Sequence, residues 1–503
     1  MDFTPLPSNK GEENMNQFSM EPSSEQYRMS GQVSFNGSAT TLTLTSDGNL
    51  TWLDSHGQLN VLIVEREVLG FAIEGDKLRI KGLSTEFDGC SCIGYDKGKD
   101  VLKRKEFVFE LPDVESKKMW SQNMNDYLDS LGRPKKLFIL VNPFGGKKSA
   151  SMIFLNHVKP LLEDANIQIT VEETKYQQHA KTIISSLELD QYDGIVCVSG
   201  DGILVEVVNG LLSREDWRTA IKLPLGIIPA GTGNGMITSI LHAVNQPCNP
   251  SNAVLAIIRG TKCSLDVATL RQGEFKIFSV LMLAWGLIAD IDIESEVYRW
   301  MGSARIDFYA LQRVLFLRQY NGRICFVSAP GFESYGEPTN YSSPKIHSET
   351  SNTKIGYQGP VIDPNTLSWR FINGPFVSIW LHNVPWGAET TMPAPDAKFS
   401  DGCMDLIIIK DCPKLALLIL MMDLSTGNHV KSPYVMYLKV KAFVLEPGSR
   451  VDDTCQDGII DVDGEVLARG RGSYKSNHKT LMGYDRIDIS IDEGLATVFS
   501  PPQ

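Results

Sequence analysis

The chain carries no surplus of positive charge, no apolar run long enough to cross a bilayer and no cysteine framework, and each absence removes a class of protein. Lys and Arg number 48 against 60 Asp and Glu, a formal net charge of -12. A chain of that sign lacks the clustered cations that displace counterions from nucleic acid, so no nucleic-acid partner is expected. The longest apolar stretches, Phe278 to Ala289 and Leu415 to Met422, fall short of the roughly 20 residues a membrane span needs. Met1 to Met20 has no positive region followed by an apolar one, so no secretory signal is expected. The nine cysteines, among them Cys90, Cys197, Cys325 and Cys455, are odd in number and scattered, unlike a disulfide framework or a zinc spacing. A cytoplasmic protein, soluble or attached peripherally to a membrane, is the expectation. Two nucleotide signatures are missing as well: there is no G-x-x-x-x-G-K-[ST] loop, and no H-R-D or D-F-G.

What is present divides into roughly three domains, as ~150 residues per domain suggests for a chain of 503. Residues 1–29 are polar and predict a disordered tail. From 30 to 132, β-branched runs and turns such as Asp47-Gly48-Asn49 lead into a helical pattern over Val114 to Leu131, with Trp120 on its apolar face. This order resembles a pleckstrin-homology-like β domain. Its basic loop, Lys97 to Lys105, is read either as a phosphoinositide contact or, the plainer reading, as a solvated loop. From 133 to 260 strands alternate with helices: Lys136 to Val141, Ile167 to Glu172, Ile195 to Val198 and Leu225 to Ile228 predict a parallel, doubly wound α/β sheet. From 261 to 503 short strands predict an antiparallel, sandwich-like domain, interrupted by a polar segment, 328–368, expected to be disordered.

Three turns carry the chemistry. Asn142-Pro143-Phe144-Gly145-Gly146 follows a strand and opens a helix, where glycine lets the backbone approach phosphate and the helix dipole favours an anion. Ser199-Gly200-Asp201-Gly202 and Pro229-Ala230-Gly231-Thr232-Gly233-Asn234-Gly235 each follow a further strand. A carboxylate beside phosphate is repelled unless it is there to take a proton from an attacking hydroxyl, so Asp201 points to a kinase base. Its plainer reading is a helix N-cap, and the dipole of the following helix predicts a lowered pKa. Downstream, Phe278 to Ala289 is an apolar wall that ends in Asp290, Asp292 and Glu294, which would share a face if extended. Such a wall beside carboxylates suits a lipid with a cationic head; the plainer reading is a buried strand ending in a solvated acidic turn. Glu296 and Arg299 read as an ordinary helical surface pair, and Asp463-Gly464 as a hairpin turn.

Taken together, the N-P-x-G-G, S-G-D-G and P-A-G-T-G-N turns and the segment Phe278 to Glu296 closely resemble the sphingosine kinases of the diacylglycerol kinase superfamily, and the N-terminal extension resembles plant-type long-chain-base kinases. The likeness spans about Pro134 to Asp463, excluding the polar segment 328–368. It implies an ATP- and Mg²⁺-dependent transfer of phosphate to the primary hydroxyl of a sphingoid base at a membrane surface. By position it makes Asp201 the catalytic base, with Ser199, Gly200 and Gly202 near the acceptor hydroxyl and Asp292 at the lipid head. It places nucleotide against Asn142, Pro143, Phe144, Thr174, Lys175, Tyr176, Gln177, Gln178, Glu206, Gly231, Thr232, Gly233, Arg299, Arg305, Asp463, Gly464 and Glu465. The resemblance assigns no dedicated metal ligand. Animal members usually carry Arg where this chain has Phe144; either Lys147 and Arg299 suffice, or ATP binds more weakly. Alternatives are a ceramide or diacylglycerol kinase, or an inactive lipid-binding module.

Overall fold

A computed structural model describes residues 27–86, 101–146, 148–302, 304–339, 355–360, 367–473 and 480–502. The chain divides into two compact units, Met1–Tyr127 and Leu128–Gln503.

The first unit is built on a seven-stranded antiparallel sheet. Its alternating strands, such as Ser38–Thr45 and Asn49–Leu53, turn Leu42, Leu44, Leu50 and Trp52 inward. Trp52 packs edge-on against Phe107 and Phe109, both at 5.3 Å between ring centroids. Helix Val114–Ser130 buries Trp120, Met124 and Tyr127, and Gly31 leaves room for the Trp120 indole. The first strand starts at Tyr27, just inside the stretch expected to be a disordered tail. Of the basic loop expected at Lys97 to Lys105, residues 97–100 lie outside the described residues, and 101–105 belong to strand Val101–Glu110 and not to a loop.

The second unit joins a parallel sheet to an antiparallel one. Strands Leu225–Pro229, Gly194–Ser199, Lys136–Val141 and Gln168–Glu173 lie side by side in that order, all parallel. The first three are near-continuous apolar runs, as strands covered on both faces require, while Gln168–Glu173, at the edge, is largely exposed. From Lys136–Val141 the chain first crosses to one neighbour and later to the other, so the strand order reverses between Lys136–Val141 and Gly194–Ser199. In such sheets ligands bind at that switch point, outside the carboxyl ends.

The antiparallel part runs Glu465–Arg469, Ile459–Val462, Met282–Gly286, Ser378–His382, Met404–Ile409, Met436–Arg450 and Ile487–Phe499. Trp285, Tyr320, Phe326, Phe376 and Phe443 fill the core between its layers. Ile487–Phe499 ties the two parts together, since its end pairs in parallel with Leu225 while the rest pairs with Lys262–Gln272 and Met436–Arg450.

Two expectations from the sequence are corrected. Leu287–Glu294 is a helix and not an extended run. Gly286, at φ 85°, ends the strand in a conformation that residues with a Cβ avoid, and the helix starts from it. Asp290 and Glu294 therefore share one face, while Asp292 points away. Within the polar segment 328–368, residues 355–360 are held in place: Tyr357 donates its N–H to the Leu212 carbonyl and packs 4.4 Å from the Trp217 ring. An aromatic anchor in a polar run supplies the apolar surface that composition alone discounts. Residues 340–354 and 361–366 lie outside the described set.

Candidate active site

The three glycine turns meet one another at the switch point. A Cβ placed on Gly231 would lie 2.3 Å from Gly200 Cα, and one on Gly146 would lie 2.9 Å from the Gly231 carbonyl carbon. No other residue type permits this approach, and it gathers the backbone of all three turns into one wall.

Asp201 opens helix Asp201–Leu212 but does not cap it. Its two oxygens accept instead from the N–H groups of Gly235 and Met236, at 2.9 and 3.0 Å, so it caps the first turn of the neighbouring helix, Gly235–His242. The reading of Asp201 as the N-cap of its own helix is corrected: that position is Gly200, and the N-cap position of the neighbouring helix is Asn234. Burial raises its pKa above the ordinary carboxylate range against the opposing pull of those N–H groups, which corrects the expectation of a lowered value.

Glu206, one turn further along, reaches across to Gln178 N–H at 2.8 Å and Ala180 N–H at 3.1 Å. It thereby fixes the start of helix His179–Ser186 and with it the loop Thr174 to Gln178. Gln177 Nε2 in turn donates to Glu465 Oε2 at 3.2 Å, bringing this loop to the turn between Ile459–Val462 and Glu465–Arg469. That turn is the expected Asp-Gly hairpin, with φ 54° at Asp463 and 81° at Gly464. Asp463 Oδ1 accepts from Ser279 Oγ, Leu281 N–H and Met282 N–H at 2.8 to 2.9 Å. Burial pushes its carboxyl up to about 6.

Asn234, in the left-handed region at φ 58°, ties its own turn by accepting from Gly231 N–H at 2.9 Å. Its amide also donates to Glu389 Oε1 at 2.6 Å, and Glu389 N–H donates to the Gly233 carbonyl at 2.9 Å. Glu389 comes from the antiparallel part, and nothing in its local sequence marks it. Asn209 is similar: it pairs with both the N–H and the carbonyl of Phe278, fastening the helix behind Asp201 to strand Phe275–Ser279.

In helix Leu287–Glu294, Asp292 is half-buried and lies beside Asp461. Arg305 lies 3.7 Å from Glu296, so Glu296 has a partner other than the expected Arg299. The positive charge of Arg305 favours the ionised Asp292, although burial raises Asp292 above its usual range. On the opposite face of the same helix, Arg318 pairs with Asp290 at 3.3 Å and Glu294 at 3.0 Å, so this acidic patch is a buried ion network and not a solvated turn. Asp290 is pushed up to about 6, mainly by burial. Phe144 is exposed, its N–H held by Asn142 Oδ1 at 3.1 Å. Lys147 and the Arg299 side chain lie outside the described residues.

A narrow crevice next to this helix is lined by Ile288, Trp380, Ile407, Ile409, Leu420 and Met421. Glycine turns gathered at a parallel switch point and joined to an antiparallel sheet have the architecture of a lipid kinase, and the similarities to known proteins agree. Residues 136–270 match the diacylglycerol kinase catalytic domain, and residues 378–476 the YegS C-terminal NAD kinase beta sandwich-like domain. Sphingosine kinase 1 of Arabidopsis thaliana is 60% identical over 473 residues, covering 94% of this chain and 96% of that protein. Sphingosine kinase 2 of the same plant is 57% identical over 476 residues, covering 94% and 97%. Human sphingosine kinase 1 is 34% identical over 351 residues, covering 67% and 87%. The chain belongs to the sphingosine kinase family.

Proposed function

We propose that the protein transfers the γ-phosphoryl group of ATP to the primary hydroxyl of sphingoid long-chain bases, namely sphingosine, dihydrosphingosine and phytosphingosine. The observation that carries the reading is the Asp201 carboxylate, fixed by two backbone N–H groups beside three abutting glycine turns. Asp201 takes the proton of the acceptor hydroxyl as that oxygen bonds to phosphorus and the bridge to ADP breaks. Because the transition state is loose, holding the hydroxyl in line counts for more than basicity. Ser199, Gly200 and Gly202 line the acceptor side, and the turns at 142–144, 174–178, 231–233 and 463–465, with Glu206, Arg299 and Arg305, frame the nucleotide. The phosphate side is made of glycine turns and backbone N–H groups, a donor set for nucleotide oxygens. A Mg²⁺ ion arriving with the nucleotide would be held by phosphate oxygens and water, and would supply charge neutralisation on the phosphates.

Asp292 receives the ammonium of the base, and the apolar crevice receives the tail. The crevice measures about 20 Å³, room for about one water. Helix Lys414–Asp423 contributes Leu420 and Met421 to the lining. The same helix exposes Leu415, Ile419 and Met422, and its neighbour Ala304–Leu315 exposes Phe308 and Leu311. This apolar surface meets the membrane from which substrate is drawn. Asp for Ile419 and Met422 together should weaken co-sedimentation with phosphatidylcholine vesicles by about tenfold, with turnover of detergent-dispersed substrate unchanged. The N-terminal sheet, closed by helix Val114–Ser130, is read as a pleckstrin-homology-like module.

Incubation with Mg-ATP and a panel of sphingosine, dihydrosphingosine, phytosphingosine, ceramide and diacylglycerol tests the assignment. Phosphorylation of the neutral lipids alone would overturn it. Asp292→Asn removes the charge that meets the ammonium and should lower kcat/KM for sphingosine by roughly ten- to thirtyfold. Ceramide nitrogen is an uncharged amide, so any ceramide turnover should change far less; equal losses on both lipids would exclude a head-group role for Asp292.

A further inference from the structure

Beside Asp292 lies a buried carboxyl with no assigned part. Asp461 lies in strand Ile459–Val462 opposite Ala284 and has no exposed surface. Neither of its oxygens meets an N–H or hydroxyl donor among the described residues. An unsatisfied buried carboxylate is costly, and such groups persist where something else supplies the partner. The neighbour within hydrogen-bonding reach is Asp292, another carboxyl. Two carboxylates repel, whereas two carboxyl groups that share one proton attract, so the pair carries one proton and one negative charge. Burial and the Asp292 charge push the Asp461 carboxyl well up, and the Arg305 charge favours ionised Asp292. The proton therefore rests on Asp461, whose O–H donates to Asp292 and whose other oxygen remains an open acceptor.

A sphingoid base carries three polar groups on successive carbons: the reacting hydroxyl, the ammonium, and a second hydroxyl. Asp201 meets the first and Asp292 the second. The ammonium alone brings three hydrogens, and ionised Asp292 has about four acceptor sites, one already taken by Asp461. We propose that Asp461 is the second head-group residue, accepting a hydrogen bond from the hydroxyl on the carbon next to the amine-bearing one and so selecting bases that carry it. This rests on the sphingoid-base reading given above.

The test compares dihydrosphingosine with its 3-deoxy analogue, 2-aminooctadecan-1-ol, in three proteins. The unmodified enzyme should favour the hydroxylated base by about tenfold in kcat/KM. Asp461→Val keeps the volume, suits a strand and removes the buried polar group, so it should fold. It should lose about thirtyfold on dihydrosphingosine but only about threefold on the deoxy base, with KM for ATP little changed. Asp461→Asn, whose amide both donates to Asp292 and accepts from the hydroxyl, should restore most of the discrimination. Losses within twofold of each other on the two bases, in a protein of unchanged melting temperature, would overturn the proposal, as would discrimination that survives Asp461→Val. Absence of turnover of either base by the unmodified enzyme would defeat the sphingoid-base reading instead.

Discussion

Asp201→Asn is expected to lower kcat by roughly 10²- to 10⁴-fold, the range a positioned general base supplies, while KM for ATP stays within about threefold. The split follows from geometry. The carboxylate is held by the backbone N–H groups of Gly235 and Met236, and an Asn oxygen keeps one of these two bonds. The variant should also fold. With a folded pKa above the unfolded one, ionised Asp201 costs stability, and the cost appears as pH rises through the window between the two values. Asn removes that buried charge and gives up one hydrogen bond, two small effects of opposite sign. The same raised pKa sets the acid limb of the pH–rate profile. The base works ionised, so activity should fall, as pH drops, at a midpoint above the ordinary carboxylate value of about 4. Near-normal kcat in Asp201→Asn would remove the residue from the base role, and a limb at or below pH 4 would show that its burial is relieved on substrate binding.

The readable parts of this chain are those whose cause is local. Three of the four parallel strands stand out because each is a nearly unbroken apolar run, and the glycine turns because only glycine allows such contacts. The misread parts have causes that lie elsewhere in the chain. Leu287 to Glu294 alternates apolar and acidic residues like a strand, and only the left-handed Gly286 before it starts a helix. Ile487–Phe499 carries Asp488, Asp492 and Glu493 and does not stand out as a core strand, yet it is the one that ties the two sheets together. Asp201 is legible as a candidate base, but its partners, Gly235 and Met236, begin another helix. Glu389 and Asp461 show nothing in their own neighbourhoods; one is identified by Asn234 and the other by Asp292, across sheet connections that no local pattern encodes.

Gly231→Ala should lower kcat/KM by about 100-fold with every substrate, through backbone displacement alone. The added Cβ would sit 2.3 Å from Gly200 Cα, 2.8 Å from Gly200 N and 3.1 Å from Asn234 Oδ1. Ordinary carbon contacts lie near 3.5 to 4.0 Å, so the turns must part by about 1 Å, and the clash is with backbone that has no rotamer to yield. A displacement of that size in a positioning element costs on the order of 10²-fold. It also moves Asp201, which follows Gly200 directly. Overpacking of this kind should cost about 1–3 kcal/mol of stability. Gly202 provides the comparison: a Cβ there meets nothing within 4 Å and its φ is not positive. Gly202→Ala should therefore fold at least as well as the natural chain, since alanine favours a helix over glycine by about 1 kcal/mol. The kinetic pattern separates the two roles in this wall. Loss of the base acts on kcat, whereas parting the turns raises KM for ATP as well, because Gly146, Gly200 and Gly231 hold one another. A Gly231→Ala enzyme with unchanged KM for ATP would mean that the three turns bind phosphate independently, and that their contact serves folding alone.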